Sequence, residues 1–128
     1  MRFDIITIFP QIFDSYFSES ILARAQKKRL IKIKAHDLRK WTKDRHKTVD
    51  DKPYGGGAGM IFKVEPIFRA TKSVKLKTKK NRAKIILFSA KGKKFTQREA
   101  RRLAKYDQLI LICGRYEGVD ERAAKHIA

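Results

Sequence analysis

Three stretches of the chain hold residues whose types and spacing could do chemistry. Residues 49–60 read VDDKPYGGGAGM, residues 88–92 read FSAKG, and residues 113–120 read CGRYEGVD. In the first, Gly55, Gly56, Gly57 and Gly59 strip one backbone segment of side chains, which permits positive φ and a close approach to another surface. A flexible hinge has the same composition, and at this level both readings stand. The segment is not a phosphate-binding P-loop, because no GxxxxGK[S/T] occurs anywhere. No strand runs directly into it, as a dinucleotide fingerprint requires. In the third stretch, Gly114 and Gly118 frame Arg115, Tyr116 and Glu117. Bare backbone there would let a ligand sit against N–H and C=O groups, with an aromatic face from Tyr116 and a carboxylate from Glu117. The same residues also suit a packed turn, with Arg115 paired to Asp120, Glu121 or Glu117 and Tyr116 in the core. The 88–92 stretch is weaker, and Ser89 and Gly92 also suit a plain strand-to-helix turn.

Other chemistry is disfavoured. His36, His46 and His126 show no metal-ligand spacing with Cys113, so no metal site is expected. Cys113 closes an apolar run and reads as a small buried hydrophobe. His46 lies among Asp44, Arg45 and Lys47, which favours solvated surface.

Such loops need a scaffold. Residues 3–9 (FDIITIF) are apolar and β-branched and read as a buried strand. Pro10 suits a first helical turn, with Ile12, Phe13, Tyr16 and Phe17 following at helical spacing. A second helix is predicted over 20–28, and a half-exposed strand over 30–35, where apolar residues alternate with lysine. Residues 36–59 show no clear period and are too long for an ordinary connector, so they read as a functional loop. A helix is predicted over 65–73 and a lysine-rich surface turn over 75–84. Residues 84–89 (KIILFS) and 108–113 (QLILIC) read as buried strands on either side of a helix ending at Leu103, opened by Thr96 and Glu99 as a capping box. Helix is expected again from Val119. Near-continuous apolar strands separated by helices indicate βαβ units and a parallel sheet. In such a sheet ligands bind beyond the C-terminal strand ends, where all three loops fall.

At 128 residues the chain is one domain, and 42% hydrophobic residues place it among globular rather than disordered proteins. No apolar run approaches the roughly 18 residues of a membrane span, and the N-terminus, with Asp4 and Pro10 in its short apolar run, is no signal peptide. The single cysteine excludes an internal disulfide and fits a cytoplasmic protein. Against 13 acidic residues stand 32 Lys and Arg, a net charge of +19 that favours a polyanionic partner, nucleic acid above all. The basic runs 27–34 and 72–84 lack the amphipathic helical pattern of a membrane-surface segment.

Residues 44–60, DRHKTVDDKPYGGGAGM, closely resemble the signature of bacterial tRNA (guanine-N1) methyltransferases, and so do residues 111–122, LICGRYEGVDER. Residues 5–13, IITIFPQIF, resemble that family's first strand and helix, and the resemblance is collinear over essentially the whole chain. It implies a member of the SPOUT superfamily of α/β-knotted methyltransferases. The reaction it implies moves a methyl group from S-adenosylmethionine to N1 of the guanine just 3′ of the anticodon. It further implies tRNA as partner, a homodimer with the active site between subunits, and a donor held in the loops of a trefoil knot. Members are often described as magnesium-dependent, which these residues do not test.

Carried over residue by residue, Leu87, Phe88 and Ser89 match the first cofactor loop, with Ala90 where the family usually has proline. Gly114, Tyr116, Glu117 and Gly118 match the second cofactor loop, and Glu117 resembles the carboxylate near donor and target base, a supporting role at most. Gly55, Gly56, Gly57 and Gly59 match the glycine-rich loop of the active site, with Ala58 in place of a proline. Arg45, His46 and Arg115 match RNA-facing positions, and Asp50 and Asp51 are polar positions of the long loop. The family continues past the position of Ala128 with a third glycine-rich loop that threads the knot, a catalytic aspartate and a C-terminal tRNA-binding domain. The expected fold is therefore a parallel-sheet α/β SPOUT-type methyltransferase domain truncated before the knot is completed, with 1–128 as its N-terminal part. A non-catalytic basic RNA-binding module is the alternative. A ribosomal-type RNA-coating protein is disfavoured, since it has no need of three glycine-bearing loops at strand ends.

Overall fold

Among the described residues six short strands and five α-helices follow one another in an order set by where the apolar runs lie. A computed structural model describes residues 1–77, 82–115 and 117–128. In chain order they are β1 (Arg2–Thr7), α1 (Asp14–Phe17), α2 (Ser20–Lys27), β2 (Lys32–Asp37), β3 (Asp50–Asp51), β4 (Ile61–Phe62), α3 (Val64–Val74), β5 (Ala83–Leu87), α4 (Gln97–Leu103), β6 (Gln108–Ile112) and α5 (Glu121–His126). Single 3₁₀ turns at Pro10–Phe13 and Leu38–Trp41 follow β1 and β2.

The main sheet has the order β2-β1-β6-β5 and every pairing in it is parallel. Its register is level at the C-terminal edge: Thr7 lies opposite Asp37, Ile6 opposite Ile112, and Leu87 opposite Ile112. The three loops singled out above therefore start from two level strand ends, β5 and β6, and from the β3–β4 pair beside them. Alternation puts Asp4 and Ile6, Ile110 and Ile112 on one face. That face packs against α3, whose buried residues Pro66, Ile67, Ala70, Thr71 and Val74 form one helical stripe. Phe62, Leu38, Val49 and Ala123 complete this core.

One buried carboxylate anchors the opposite end. Asp4 is fully buried and accepts from Arg2 Nε and Nη2 (2.7 and 2.8 Å), from His36 Nε2 (2.7 Å) and from Gln108 Nε2 (2.7 Å). Since an ionised carboxylate only accepts, the His36 ring donates from Nε2. Gln108 also donates to the carbonyl of Val74 (2.9 Å) and accepts from the N–H of Leu76 (3.0 Å), which ties the end of α3 to the sheet.

Several expectations are revised. Residues 84–89 were expected to be a buried strand, but β5 runs Ala83–Leu87 and is only half-buried, because it forms the edge of the sheet. The strand expected over 30–35 is Lys32–Asp37: Arg29 takes φ +57° directly after α2, and the chain reverses before pairing begins. Residues 36–59 are not one featureless loop. They include the end of β2, a 3₁₀ turn capped by the Asp37 carboxylate on the N–H of Arg39 (3.0 Å), and β3. Thr96 caps α4 by accepting from the N–H of Glu99 (3.4 Å), but Glu99 turns to Arg102 (2.8 Å), so only half a capping box forms. Of the lysine-rich turn, residues 78–81 lie outside the described residues.

Burial pushes the Asp4 carboxyl up, but hydrogen bonds from Arg2, Gln108 and His36, with the charge of Arg2, outweigh it and hold the group below the usual carboxylate range. A carboxyl lowered on folding contributes stability above its unfolded pKa of about 3.9 and loses it as pH falls through the folded value. We expect Asp4→Ala to cost about 3–5 kcal/mol at pH 7 in urea unfolding, because Arg2 and His36 lose their carboxylate and Gln108 one of its acceptors. Stability of the wild-type chain should fall further below about pH 4, and this acid limb should be diminished in the variant.

Candidate functional site

The loops after β5 and β6 begin side by side. The N–H of Phe88 donates to the carbonyl of Ile112 (3.1 Å), and that of Cys113 to Ile6 (2.9 Å). Leu87 is half-buried against the core, whereas Phe88 is 54% exposed and Ser89 is exposed. The 88–92 turn is closed by the N–H of Gly92 on the carbonyl of Ser89 (3.0 Å) and the N–H of Lys91 on Ser89 Oγ (3.2 Å).

The β3–β4 pair is docked on the loop after β6. Glu117 N–H donates to the Met60 carbonyl (3.1 Å), Phe62 N–H to Gly118 (3.1 Å), and Asp120 N–H to Phe62 (3.0 Å). Phe62, fully buried, also bridges Val119 in parallel. Asp120 then caps α5 by accepting from the N–H of Arg122 (2.9 Å), and the Arg122 side chain reaches back to it at 2.7 Å. That guanidinium holds the Asp120 carboxyl below its ordinary range, against a smaller upward push from burial. Arg122 also lies over the Tyr54 ring, 5.7 Å from its centroid, and so ties the root of the glycine loop to α5.

The structure thus brings together 59–62 and 117–120, from loops that the sequence separates by more than fifty residues. The four loop glycines divide. Gly55, Gly56 and Gly57 take φ of +83°, +81° and +128° in open space, where a Cβ would meet nothing within 4 Å. Gly59 is the one pressed against a neighbour: a Cβ on it would lie 2.2 Å from Glu117 Cγ. Close approach therefore sets Gly59 apart, and positive φ, +91° at Gly59, is common to all four. Gly114 answers to an internal constraint as well, since a Cβ there would lie 2.9 Å from Val119 Cγ2. Above Gly118, at φ +139°, a Cβ would meet nothing within 4 Å.

Tyr116 lies outside the described residues. Arg115 is exposed, and none of the carboxylates considered for it pairs with it: Asp120 pairs with Arg122, Glu121 with Lys125 (3.2 Å), and the Glu117 side chain packs beside Gly59. Its guanidinium lies instead over the Phe9 ring, 4.7 Å from the centroid. Arg45 and His46 are exposed on a turn that Asp44 closes by accepting from the Thr48 N–H (3.0 Å) and hydroxyl (2.5 Å). Those bonds lower the Asp44 carboxyl. No hydrogen bond or ion pair among the described residues joins this turn to 113–120. Asp50 and Asp51 form β3, opposite Phe62 and Ile61. Burial pushes the half-buried Cys113 thiol up, which favours an inert thiol.

Tyr54 and Val119 fall inside the loops singled out from the sequence, and Phe9 and Arg122 inside the quoted motifs, but sequence reasoning assigned none of the four a role at this edge. Phe9 carried the only local signal, an aromatic directly before Pro10 at a strand end. Of two cavities, of about 390 and 320 Å³, one lies away from this edge beside Arg2, His36 and Trp41, and the other lies between α3 and α5 with Arg122 in its lining. Among the described residues no three His, Cys, Asp or Glu could together hold a metal ion, and no helix is long and apolar enough to cross a membrane.

We expect Gly59→Ala to destabilise by about 2–3 kcal/mol, of which roughly 1 is the cost of positive φ and the rest the clash with Glu117. Adding Glu117→Ala should recover the clash part only. Additive effects in a urea double-mutant cycle would show that the two residues do not press on each other.

A family model described as "tRNA (Guanine-1)-methyltransferase TrmD" matches residues 1–128. The tRNA (guanine-N(1)-)-methyltransferase of Dictyoglomus turgidum is 54% identical over 122 residues, covering 95% of this chain and 48% of that protein. The corresponding protein of Thermomicrobium roseum is 53% identical, over 95% of this chain and 45% of that protein. The crystal structure of tRNA (m1G37) methyltransferase from Aquifex aeolicus superposes with a TM-score of 0.84 at 39% identity, covering 98% of this chain and 56% of that one. The chain spans about half the length of the curated relatives it matches. With the match running along the whole chain and the parallel α/β sheet in place, this chain belongs to the tRNA (guanine-N1) methyltransferase family, of SPOUT fold.

Proposed function

We propose that the C-terminal edge of the sheet is the methyl-donor side of a tRNA (guanine-N1) methyltransferase that uses S-adenosylmethionine. In this reading 1–128 is the N-terminal part of a single SPOUT-type domain. The rest of that domain and a C-terminal tRNA-binding domain come from a second half of the length its relatives have. The target is N1 of the guanine 3′ of the anticodon, and the working unit is a cytoplasmic homodimer. The observation that carries the reading is the junction of 59–62 with 117–120 beside the exposed 88–92 turn, in a chain that matches the family along its whole length.

The residues present fit such a donor. Phe88 offers an exposed aromatic face, Gly118 leaves open space above its backbone, and Glu117 brings a carboxylate suited to a cationic sulfonium. When bound, S-adenosylmethionine supplies an electrophilic methyl group. The tasks left to the protein are alignment and removal of the N1 proton. Leu87, Phe88, Ser89, Gly114, Tyr116, Glu117 and Gly118 are assigned to donor binding, Gly55, Gly56, Gly57 and Gly59 to the active-site loop, and Arg45, His46 and Arg115 to RNA. Glu117 is held by Gly59 and by its own N–H on Met60, so its part is orientation; the general base is assigned to the second half. Magnesium has no assigned ligands in this chain.

We expect the chain alone to bind S-adenosylmethionine weakly, with Kd roughly 1 mM, about −4 kcal/mol, by calorimetry. Phe88→Ala should weaken it about fivefold, since part of an aromatic contact is lost. No turnover is expected from the chain alone. Continued with the second half of the Dictyoglomus turgidum relative, it should place label from S-adenosylmethionine on N1 of that guanine. A folded chimera that binds tRNA but neither donor nor label would favour a non-catalytic RNA-binding module.

A further inference from the structure

The ring of Phe9 stands at the C-terminal end of β1, 38% exposed, directly before the Pro10 turn. Two guanidinium groups from elsewhere in the chain converge on it. Arg115, from the loop after β6, lies 4.7 Å from the ring centroid, and Arg39, from the 3₁₀ turn after β2, lies 6.0 Å from it. Because the sheet order is β2-β1-β6, these three residues follow three adjacent strand ends. The backbone of Phe9 is fixed by its N–H on Thr7 Oγ1 (3.2 Å) and by its carbonyl, which accepts from Ile12 (3.3 Å).

The two cations differ in what they have left to give. Arg39 Nη1 donates to the Ile8 carbonyl (2.8 Å), and the nearest carboxylate to it, Asp37, is 3.8 Å away, too long for a direct hydrogen bond. Arg115 has no hydrogen bond and no carboxylate partner among the described residues. Two like charges near one ring, in a chain of net charge +19, repel each other; Asp37 offsets this at 3.8 Å on the Arg39 side, and a bound anion would offset it on the Arg115 side. A guanidinium stacked on an aromatic face keeps its N–H edge free for bidentate contact, which suits phosphate.

We infer that Phe9 is a platform holding Arg115 and Arg39 as a pair of phosphate-binding cations, past which the RNA sugar-phosphate backbone runs beside the donor loops. Phe9 is a positioning residue that acts through Arg115. The inference rests on RNA being the substrate of the edge described above, and it gives Arg39 and Phe9 roles there.

The test measures binding of an unmodified tRNA transcript to the chain across a range of salt concentrations, together with S-adenosylmethionine affinity and thermal stability. Each lost phosphate contact should reduce the slope of log K against log salt by about 0.7 to 0.9. Arg115→Gln and Arg39→Gln should each show that reduction and bind about threefold to tenfold more weakly. Phe9→Leu should weaken RNA binding about threefold with stability and donor affinity unchanged, and Phe9→Trp, which keeps a stacking face, should restore it. Lys32→Gln, on the opposite edge of the sheet, should change nothing. Wild-type slopes in the arginine variants, or a loss from Lys32→Gln equal to that from Arg115→Gln, would overturn the platform. If the chain binds no donor while RNA binding still depends on Arg115 and Phe9, the platform stands and the donor-site reading fails. Intact donor binding with unchanged slopes removes the platform alone.

Discussion

Asp4 is a carboxylate without solvent contact in a chain carrying 32 basic residues, and it is saturated by donors from β1, β2 and β6. Ionised, it would be costly to bury alone; with Arg2, His36 and Gln108 around it, the charge is matched, and no buried side-chain polar atom among the described residues lacks a partner. Gln108 extends the constraint to the end of α3 through Val74 and Leu76. Three parallel strands and the helix that covers them are thereby fixed at one end. Because a parallel sheet transmits register along its strands, the other end inherits the alignment: Ile112 and Leu87 stop level with Ile6, and Thr7 and Asp37 one residue beyond. Everything assigned to the functional edge is built on that level.

The second constraint is local to the edge. Two-residue strands such as β3 and β4 have too few ladder bonds to persist alone. They persist here because Phe62 is buried and because three backbone hydrogen bonds join 60–62 to 117–120. The glycine loop therefore moves as part of the loop after β6, at least from Gly59 onward. Gly59 leaves the space that the Glu117 side chain fills, and Gly114 leaves the space that Val119 fills. Both glycines are accounted for by packing inside the protein, so their bareness alone does not argue for a ligand. The stronger arguments are the open backbone at Gly118 and the exposed ring of Phe88.

The elements legible in the sequence were those whose own residues specify them. β1 and β6 are apolar enough to be buried wherever they pair, and α2 was placed to within a residue. What stayed hidden depends on partners far along the chain. Two-residue strands have no period to read. Half-burial of β5 reflects its place at the sheet edge rather than its composition, which matches that of a central strand. His36 looked like the start of a loop, because nothing in its neighbours shows that Asp4 waits across the sheet. The glycine clusters were found, but what Gly59 meets depended on Glu117, more than fifty residues away, and what Gly114 meets depended on how its own loop folds back to Val119. Phe9 is apolar in an apolar run, and only the sheet order places Arg39 and Arg115 over it.

Charge placement sharpens what +19 means. Many of the acids are spent inside the protein: Asp4 in the sheet, Asp120 on Arg122, Asp44 on Thr48, Glu99 on Arg102 and Glu121 on Lys125. A carboxylate used as a helix cap or buried acceptor neutralises the groups it touches and contributes little to the field elsewhere. The unpaired cations are then concentrated where no such acceptor stands, and at the functional edge these include Arg115 and the exposed turn bearing Arg45 and His46. A generally basic surface would draw nucleic acid to every side alike. In the reading proposed above, a cation fixed over the Phe9 ring, one strand away from the open backbone of Gly118, marks one side for a polyanion where the total charge alone does not.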